Sequence, residues 1–205
     1  KGMVNHFKKY SNWIKKYYGK GLKNLLEIGS NDGTFLKNFN KKKIKVIGFE
    51  PSSNVANISK KRGIKTYNSF FNYKNVKSLK SLHKKINIIT AANVICHVPD
   101  LKNLIKGIDF LLSDNGCFIF EEPYLGSMYD KVSYDQIYDE HIYIFSAHSI
   151  KKIFELFNFE LIDVIPQYTH GGSMRYVISR KGQKKINLSV EKLLKKEKTK
   201  NIDNI

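Results

Sequence analysis

Short apolar segments alternate with amphipathic ones along much of the chain. Mostly apolar runs are typical of strands buried in a parallel sheet, whereas apolar positions three or four residues apart are typical of helices. The pattern predicts strands over 25–28, 44–49, 64–67, 86–91 and 117–121. It predicts helices between them, over 34–39, 53–61 and 101–112. This alternation is characteristic of a doubly wound α/β sheet with helices on both faces.

The pattern changes at both ends of this region. Residues 3–18 carry apolar side chains at helical spacing, so we expect an amphipathic helix packed against the sheet. A helix over 146–157 precedes strands over 159–165 and 174–180, which are close enough in sequence to pair antiparallel. A last helix is expected over 188–198. The segments together predict a Rossmann-like sheet of seven strands, mostly parallel, with an antiparallel strand at its C-terminal end.

A glycine-bearing turn follows the first predicted strand. Gly29 allows the backbone to turn sharply, and Gly33 allows the following segment to approach the strand closely. The backbone N–H groups of such a turn can face a ligand. Glycine turns also occur in α/β domains that bind no cofactor, so the turn predicts a cofactor site only together with the acidic residues near it.

Those acidic neighbours indicate which cofactor the turn binds. Dinucleotide-binding turns carry glycine at the position of Asn31, and a pyrophosphate would meet the carboxylates of Glu27 and Asp32. A cofactor with positive groups suits the site better, and S-adenosylmethionine carries a sulfonium and an ammonium. Glu50 ends the second predicted strand, where an acid can accept hydrogen bonds from both ribose hydroxyls. The sequence therefore predicts S-adenosylmethionine as the cofactor.

Further candidates lie at the ends of later strands. Asn68 and Phe70 follow the third strand, where the adenine would lie, and Asn93 follows the fourth. An alternative for the aromatic residues is packing within the loop without any ligand. The residues predicted to bind the cofactor are Glu27, Gly29, Ser30, Asn31, Asp32, Gly33, Glu50, Pro51, Asn68, Phe70 and Asn93.

The net charge of +18 raises the hypothesis of an anionic partner. A basic surface attracts nucleic acids, and also acidic small substrates such as nucleotide sugars. The lysines are spread along the whole chain and accompany many asparagines, which is the pattern that AT-rich coding DNA produces. The composition therefore argues against a nucleic-acid partner.

Membrane and metal signals are missing from the sequence. No apolar segment approaches the roughly 18 residues of a membrane-spanning helix, and no signal peptide is evident, so we expect a cytoplasmic protein. Cys96 and Cys117 lie near the ends of predicted strands and lack the Cys-x-x-Cys spacing of zinc sites. We therefore expect two buried thiols and no bound metal.

Residues 122–144 are too polar and aromatic for a simple connection, so they predict an insertion that faces a ligand. It contains Tyr138-Asp139-Glu140-His141. Histidine, with a reference pKa of about 6.5, can accept a proton at neutral pH, and a nearby carboxylate can tune it. Tyrosine can hydrogen-bond a developing oxyanion. These groups suit removal of a proton beside a ketone, although tyrosine-rich loops with an isolated histidine are also common.

His97 and the last hairpin complete the candidate site. His97 follows the fourth strand at the ligand-binding edge, although a histidine there can also simply begin a helix. The glycine-rich loop near residue 171 returns over the same edge, where it would clasp an anion or form a plain hairpin. The residues predicted to bind the substrate are Tyr124, His170, Ser173 and Arg175.

Five motifs occur in an order that resembles the sugar C-methyltransferases of deoxysugar pathways. They are residues 27–33, Phe49-Glu50-Pro51, residues 93–97, Tyr138-Asp139-Glu140-His141 with Phe145-Ser146, and residues 170–175. The resemblance covers residues 20–182. It implies a class I methyltransferase that uses S-adenosylmethionine and acts on a nucleotide-linked 4-keto deoxysugar.

The resemblance also implies a role for each residue of the insertion. His141 would be the general base that removes the proton beside the ketone, supported by Glu140, Tyr138 and His97. Tyr138 or His97 would hold the resulting enolate, whose carbon takes the methyl group. General-base help of this kind contributes roughly 10²–10⁴-fold to the rate.

Members of that family carry an N-terminal zinc-binding domain and a C-terminal Rossmann-like domain, so the sequence resembles the central domain alone. We expect an N-terminal helix within 1–20, the methyltransferase domain over 21–182, and over 183–205 a helix or linker to a flanking domain.

Two other activities fit the same motifs. One is an O- or N-methyltransferase for another small metabolite, and the other is a nucleic-acid-binding module of methyltransferase-like fold. A domain that binds the cofactor without turnover is a further alternative.

Overall fold

The computed structural model describes residues 2–39, 43–133, 135–169 and 171–203. Within them, seven strands form one sheet in the order β3-β2-β1-β4-β5-β7-β6. The strands are β1 Asn24–Ile28, β2 Lys45–Phe49, β3 Lys65–Tyr67, β4 Ile86–Ala92, β5 Leu112–Pro123, β6 Phe159–Gln167 and β7 Ser173–Arg180. Strands β1 to β5 pair in parallel, whereas β7 runs antiparallel to both β5 and β6. The predicted fold class is confirmed.

Helices connect the strands and cover the sheet. The α-helices in the described residues are α1 Gly2–Tyr18, α2 Ser53–Lys61, α3 Tyr73–Val76, α4 Leu101–Leu111, α5 Leu125–Lys131, α6 Ala147–Glu155 and α7 Leu188–Thr199. Short 3₁₀ turns occupy Gly19–Gly21, Leu36–Asn38, Lys80–Leu82 and Ile95–His97. No helix in this part of the chain combines the length and apolar character needed to cross a bilayer.

Two predicted elements differ from the structure. The helix expected over 34–39 is only the 3₁₀ turn Leu36–Asn38, in which the N–H groups of Asn38 and Phe39 bond the carbonyls three residues back. The residues between the predicted helix over 101–112 and the predicted strand over 117–121 belong to β5, which begins as soon as α4 ends. Residues 113–116 bulge between two ladder pairs of β5 and β4, an irregularity that periodicity does not reveal.

Helix α1 packs on one face of the sheet. Its Tyr10 and Ile14 are fully buried in a cluster with the inward side chains of the central strands, among them Leu25. The Tyr10 hydroxyl bonds the hydroxyl of Thr90 at 2.9 Å and donates to the carbonyl of Ile119 at 3.1 Å. These bonds satisfy a buried phenol and fix α1 across β4 and β5.

The C-terminal helix α7 also packs on the domain. Its Glu197 is fully buried, and the carboxylate accepts the N–H groups of Ala147 at 2.7 Å and His148 at 2.9 Å. The same carboxylate accepts the Tyr124 hydroxyl at 2.9 Å. Glu197 thus caps the first turn of α6, where exposed N–H groups and the helix dipole favour a negative charge. A further domain beyond α7 stays a prediction.

Candidate active site

A cavity of about 770 Å³ opens at the carboxyl ends of β1, β2 and β4. Ligands bind at this edge of doubly wound sheets because the connecting loops diverge there. Its lining includes Gly29, Asn31, Glu50, Pro51, Phe70, Asn93 and His97. Most residues predicted from separate motifs to bind the cofactor therefore meet around one space.

The turn after β1 depends on backbone conformations that few side chains permit. Gly29 has φ +67°, and a Cβ there would lie 2.5 Å from Cγ2 of Val94. Gly33 has φ +78°, and a Cβ there would overlap Ile64 and Ser59. Asn31 adopts φ +49°, which asparagine tolerates better than most residues. The two glycines are required by both conformation and space.

Backbone hydrogen bonds fix the Glu50 side chain beside this turn. Its carboxylate accepts the N–H groups of Asn31 and Ser52, each at 2.9 Å, and only 8% of the residue is exposed. The Asn68 amide donates to the carbonyls of Glu50 and Pro51 at 2.9 Å each. Asn68 therefore supports the strand end that carries Glu50, and its contact with the adenine stays a prediction.

Glu27, the next-to-last residue of β1, has a buried and incompletely bonded carboxylate. Only 4% of the residue is exposed, and Oε2 has no hydrogen-bond partner within the described ranges. Burial, reinforced by the negative charges of Asp32 and Glu50, raises the pKa of Glu27 well above its usual range. A buried carboxyl with one oxygen left without a hydrogen bond, beside a ligand turn, fits a cofactor that brings a positive group.

Two other loop residues, Asp32 and Ser30, do not line the cavity. The Asp32 carboxylate accepts the Thr34 N–H at 2.9 Å and pairs with Arg62 at 2.6 Å. Partial burial opposes its ionisation, but these hydrogen bonds outweigh burial and lower the pKa of Asp32. The Ser30 side chain is buried against Gly48, where a Cβ would overlap it. Direct contact of Asp32 or Ser30 with the cofactor stays a prediction.

The residues of the Tyr138-Asp139-Glu140-His141 motif gather around His97. The Tyr138 hydroxyl lies 2.8 Å from Nε2 of His141, and the ring centroids of His97 and His141 are 5.0 Å apart. A second cavity of about 360 Å³ is lined by His97, Asp139, Glu140 and Ile142. His97 lines both cavities, so it lies between the cofactor space and the insertion.

Backbone carbonyls fix the tautomers of both histidines. Nδ1 of His141 lies 2.7 Å from the Gln136 carbonyl, and Nδ1 of His97 lies 2.6 Å from the Glu140 carbonyl. A carbonyl oxygen only accepts, so each Nδ1 carries the proton of the neutral ring and each Nε2 keeps its lone pair. Nε2 of His141 therefore accepts from Tyr138 and is free to act as a base when that hydroxyl turns to another acceptor.

Tyr138 itself stays protonated near neutral pH. Partial burial, together with the neighbouring Cys96 and Glu140, raises the pKa of Tyr138 above its usual value. Its hydroxyl is therefore a hydrogen-bond donor under ordinary conditions, as a group that holds a developing oxyanion must be.

The predicted substrate residues lie among protein partners. Tyr124 is 5% exposed and its hydroxyl donates to Glu197, while the Ser173 hydroxyl donates to the Thr169 carbonyl at 3.0 Å. Arg175 is 4% exposed, and its Nε donates to Glu121 at 2.8 Å. Arg175 pairs with Glu121 in this structure, and its contact with a substrate anion stays a prediction. A substrate contact of Tyr124 or Ser173 stays a prediction, and His170 lies outside the described residues.

The sequence does not indicate the polar network around Arg175. The guanidinium stacks 4.0 Å from the centroid of the Tyr10 ring and 4.6 Å from that of Trp13. Glu121 also accepts from, or pairs with, Nε2 of His6 at 2.6 Å. The partners are far apart in sequence, but an acid at the end of a predicted strand was an available signal. The network fastens α1 to the ligand-binding edge of β5 and β7.

Glu122 is a second overlooked residue. Its fully buried carboxylate accepts the N–H groups of Val94 at 3.0 Å and Ile95 at 2.7 Å. Burial raises the pKa of Glu122, although these backbone hydrogen bonds and a contact with Cys96 oppose the rise. The bonds fix the 3₁₀ turn Ile95–His97 and thereby the position of His97.

Comparisons with known proteins agree with this architecture. The profile of a family described as "Methyltransferase domain" matches residues 5–164. The chain is 29% identical over 150 residues to the C-methyltransferase NovU of Streptomyces niveus, a match that covers 73% of this chain and 36% of that protein. This chain thus spans about a third of the length of that curated relative.

Solved structures share the fold at low identity. A SAM-dependent methyltransferase from Archaeoglobus fulgidus superposes with a TM-score of 0.65 at 20% identity, over 80% of this chain and 72% of that one. Magnesium protoporphyrin IX methyltransferase (ChlM) from Synechocystis PCC 6803, solved with bound SAM, gives 0.62 at 12% identity, over 87% and 80%. The seven-stranded sheet, its strand order and the family match have one explanation: the chain belongs to the methyltransferase domain family and has the class I methyltransferase fold.

Proposed function

We propose that this methyltransferase is the catalytic domain of a C-methyltransferase that uses S-adenosylmethionine and acts on a nucleotide-linked 4-keto deoxysugar. The observation that carries the proposal is His141, whose Nε2 lone pair is preserved by the bond from Nδ1 to the Gln136 carbonyl. Methylation at carbon requires a base to remove a proton, whereas an amine or hydroxyl is already nucleophilic. The match to a C-methyltransferase over 73% of the chain supports the same reaction class.

The residues around the larger cavity fit the cofactor. S-adenosylmethionine, when bound, supplies the methyl group. Glu50 offers the ribose a carboxylate that two backbone N–H groups already orient. Glu27 offers a positive group a buried, incompletely bonded carboxylate, and Phe70 and Phe71 offer the adenine apolar walls.

The insertion supplies the acid–base chemistry. Nε2 of His141 takes the proton from the carbon beside the ketone, and Nδ1–H donates to the Gln136 carbonyl throughout. The Tyr138 hydroxyl then donates to the enolate oxygen instead of to His141, which leaves the new imidazolium beside the oxyanion it created. His97 stands at the junction of the two cavities; its Nδ1–H donates to the Glu140 carbonyl, so Nε2 would donate to the same oxygen once that nitrogen is protonated.

Flanking parts of a longer protein would complete substrate recognition. The chain covers 36% of the length of the C-methyltransferase that it resembles, which leaves room for domains that hold the nucleotide. We assign residues 1–20 to an N-terminal helix, 21–182 to the methyltransferase domain and 183–205 to the connection towards such a domain. The second cavity, lined by residues of the insertion, is where the sugar would enter.

Solvent deuterium exchange tests the base directly. The natural full-length protein is incubated with nucleotide-linked 4-keto deoxysugars in D₂O without methyl donor, and deuterium at the carbon beside the ketone is followed by NMR. The wild type should exchange the proton for deuterium. His141→Gln should exchange it at least about 100-fold more slowly, since 100-fold is the low end of general-base contributions to the rate. His83→Gln, at an exposed site beside Phe110, is the matched control and should exchange normally.

Either of two results would overturn the proposal. Methyl transfer without any exchange would indicate an O- or N-methyltransferase. Equal exchange by His141→Gln and the wild type would assign the proton abstraction to another group.

A further inference from the structure

Three potential metal ligands lie together beside the catalytic motif. The Sγ atom of Cys96 and one ring nitrogen each of His97 and His141 lie within 4.8 Å of one another. Cys96 and His97 are neighbours on one 3₁₀ turn, and His141 reaches them from the insertion. The sequence predicted Cys96 to be an inert buried thiol, and only the fold brings the two histidines to it.

The outer contacts of both histidines are those of metal ligands. In metal sites, a ligating histidine usually donates its other ring N–H to a carbonyl or carboxylate, which fixes the tautomer and orients the ring. Here Nδ1 of His97 lies 2.6 Å from the Glu140 carbonyl and Nδ1 of His141 lies 2.7 Å from the Gln136 carbonyl. Each Nε2 atom is thereby left with a lone pair that can coordinate a metal ion.

The charge around Cys96 also suits a cation. Its thiol lies beside the carboxylate of Glu122, and burial together with that negative charge raises the pKa of the thiol. A divalent ion would reverse this preference by binding the thiolate, whose proton passes to solvent. One thiolate and two neutral imidazoles leave a net charge of +1 on a bound divalent ion, which the nearby Glu122 carboxylate offsets.

We infer that Cys96, His97 and His141 form a binding site for Zn²⁺, with the fourth position facing Tyr138. Thiolate and imidazole are the ligands that zinc prefers, and sites with three protein ligands keep one position open. Bond lengths of about 2.0–2.3 Å put tetrahedral ligands roughly 3.5 Å apart, so the cluster must contract by about 1 Å. The insertion carries His141 on a half-exposed loop, whereas the Cys96 turn is fixed in the core.

A bound zinc ion would also switch off the proposed base. Nε2 of His141 cannot hold zinc and accept a proton from the substrate at the same time. This consequence rests on the proposed function, whereas binding of the ion does not. Zinc and proton abstraction should therefore exclude each other, so a chelator should restore deuterium exchange in zinc-treated protein.

Binding is tested with metal alone. The 205-residue chain is reduced and titrated with Co²⁺, which substitutes for zinc and gives a thiolate-to-cobalt charge-transfer absorption. Zn²⁺ affinity is measured by competition with a chromogenic chelator. We expect one equivalent to bind and the charge-transfer band to be lost in Cys96→Ser. The band should be retained in Cys117→Ser, since Cys117 is a buried thiol outside any three-ligand cluster of the described residues. His141→Gln should lower the Zn²⁺ affinity by about 100-fold or more, because loss of a hydrogen bond to a metal ligand alone costs about 10–100-fold. His83→Gln should leave the Zn²⁺ affinity unchanged.

Because His141 lies on a half-exposed loop, its variant keeps the test valid if Cys96→Ser proves unstable. Absence of a charge-transfer band in the wild type, or its persistence in both Cys96→Ser and His141→Gln, would overturn the inference. Zinc binding that leaves deuterium exchange untouched would instead refute the assignment of His141 as base and leave the metal site intact.

Discussion

Replacement of Glu50 by glutamine isolates the contribution of one charge to cofactor binding. The carboxylate accepts the N–H groups of Asn31 and Ser52 at 2.9 Å each, and it has lone pairs left for the ribose hydroxyls. Glutamine has nearly the same shape but one acceptor oxygen, so its amide NH₂ must face either a backbone N–H or a hydroxyl. Glu50→Gln therefore removes hydrogen bonds to a charged group, each worth about 1.5–3 kcal/mol.

That free energy converts into a measurable loss of affinity. With about 1.4 kcal/mol for each factor of ten, loss of one such bond should raise the dissociation constant roughly 10- to 150-fold. The assay is calorimetric titration with S-adenosylhomocysteine, with circular dichroism to verify the fold. Glu155→Gln is the matched control, since that carboxylate pairs with Lys151 at 2.8 Å on the exposed surface of α6. An affinity of Glu50→Gln within twofold of the control would refute the assignment of Glu50 to the ribose.

Three further predictions concern the turn, the sheet and the C-terminal helix. Gly29→Ala should lower the unfolding free energy and the cofactor affinity by more than Gly63→Ala does. Both glycines have positive φ, but only at Gly29 would the new Cβ lie 2.5 Å from Val94. Chemical denaturation measures the stability of the two variants, and the same titration measures their affinity. Glu197→Ala should cost about 3 kcal/mol of unfolding free energy, a helix cap plus bonds to a buried charge, while removal of an exposed surface carboxylate on α7 should cost little. Glu27 has a raised pKa in the folded state, so that state binds its proton more tightly than the unfolded one, and the stability it contributes falls as pH rises from about 4.5 towards the folded pKa. Glu27→Gln should therefore gain stability relative to the wild type at pH 8 compared with pH 5, as measured by urea unfolding.

The parallel strands and the cofactor turn could be predicted because their signals are local. An apolar run, a glycine and an acid such as Glu50 fall within a few residues of one another, and the strand order of a doubly wound sheet then brings such turns to one edge. The grouping of His97 with Tyr138 and His141 followed from a family resemblance. Their spacing in sequence would not have shown that the two imidazole rings lie 5.0 Å apart.

The buried partners of the site could not be predicted in the same way. His6 and Glu121 are 115 positions apart, and nothing in either segment identifies the other. The glycine-rich loop near residue 171 suggests an anion partner for Arg175, but nothing near that loop identifies Glu121 on β5, with which Arg175 pairs. Ionic pairs between distant elements depend on strand register, which a single sequence does not contain.

The most direct test of the account is the position of the transferred methyl group. The natural full-length protein is incubated with S-adenosylmethionine labelled with ¹³C at the methyl carbon and with nucleotide-linked 4-keto deoxysugars, and the product is examined by ¹³C NMR. The account predicts a labelled methyl bonded to a ring carbon beside the ketone, formed by the wild type and not by His141→Gln. A labelled methyl on oxygen or nitrogen, or carbon methylation that survives in His141→Gln, would contradict it.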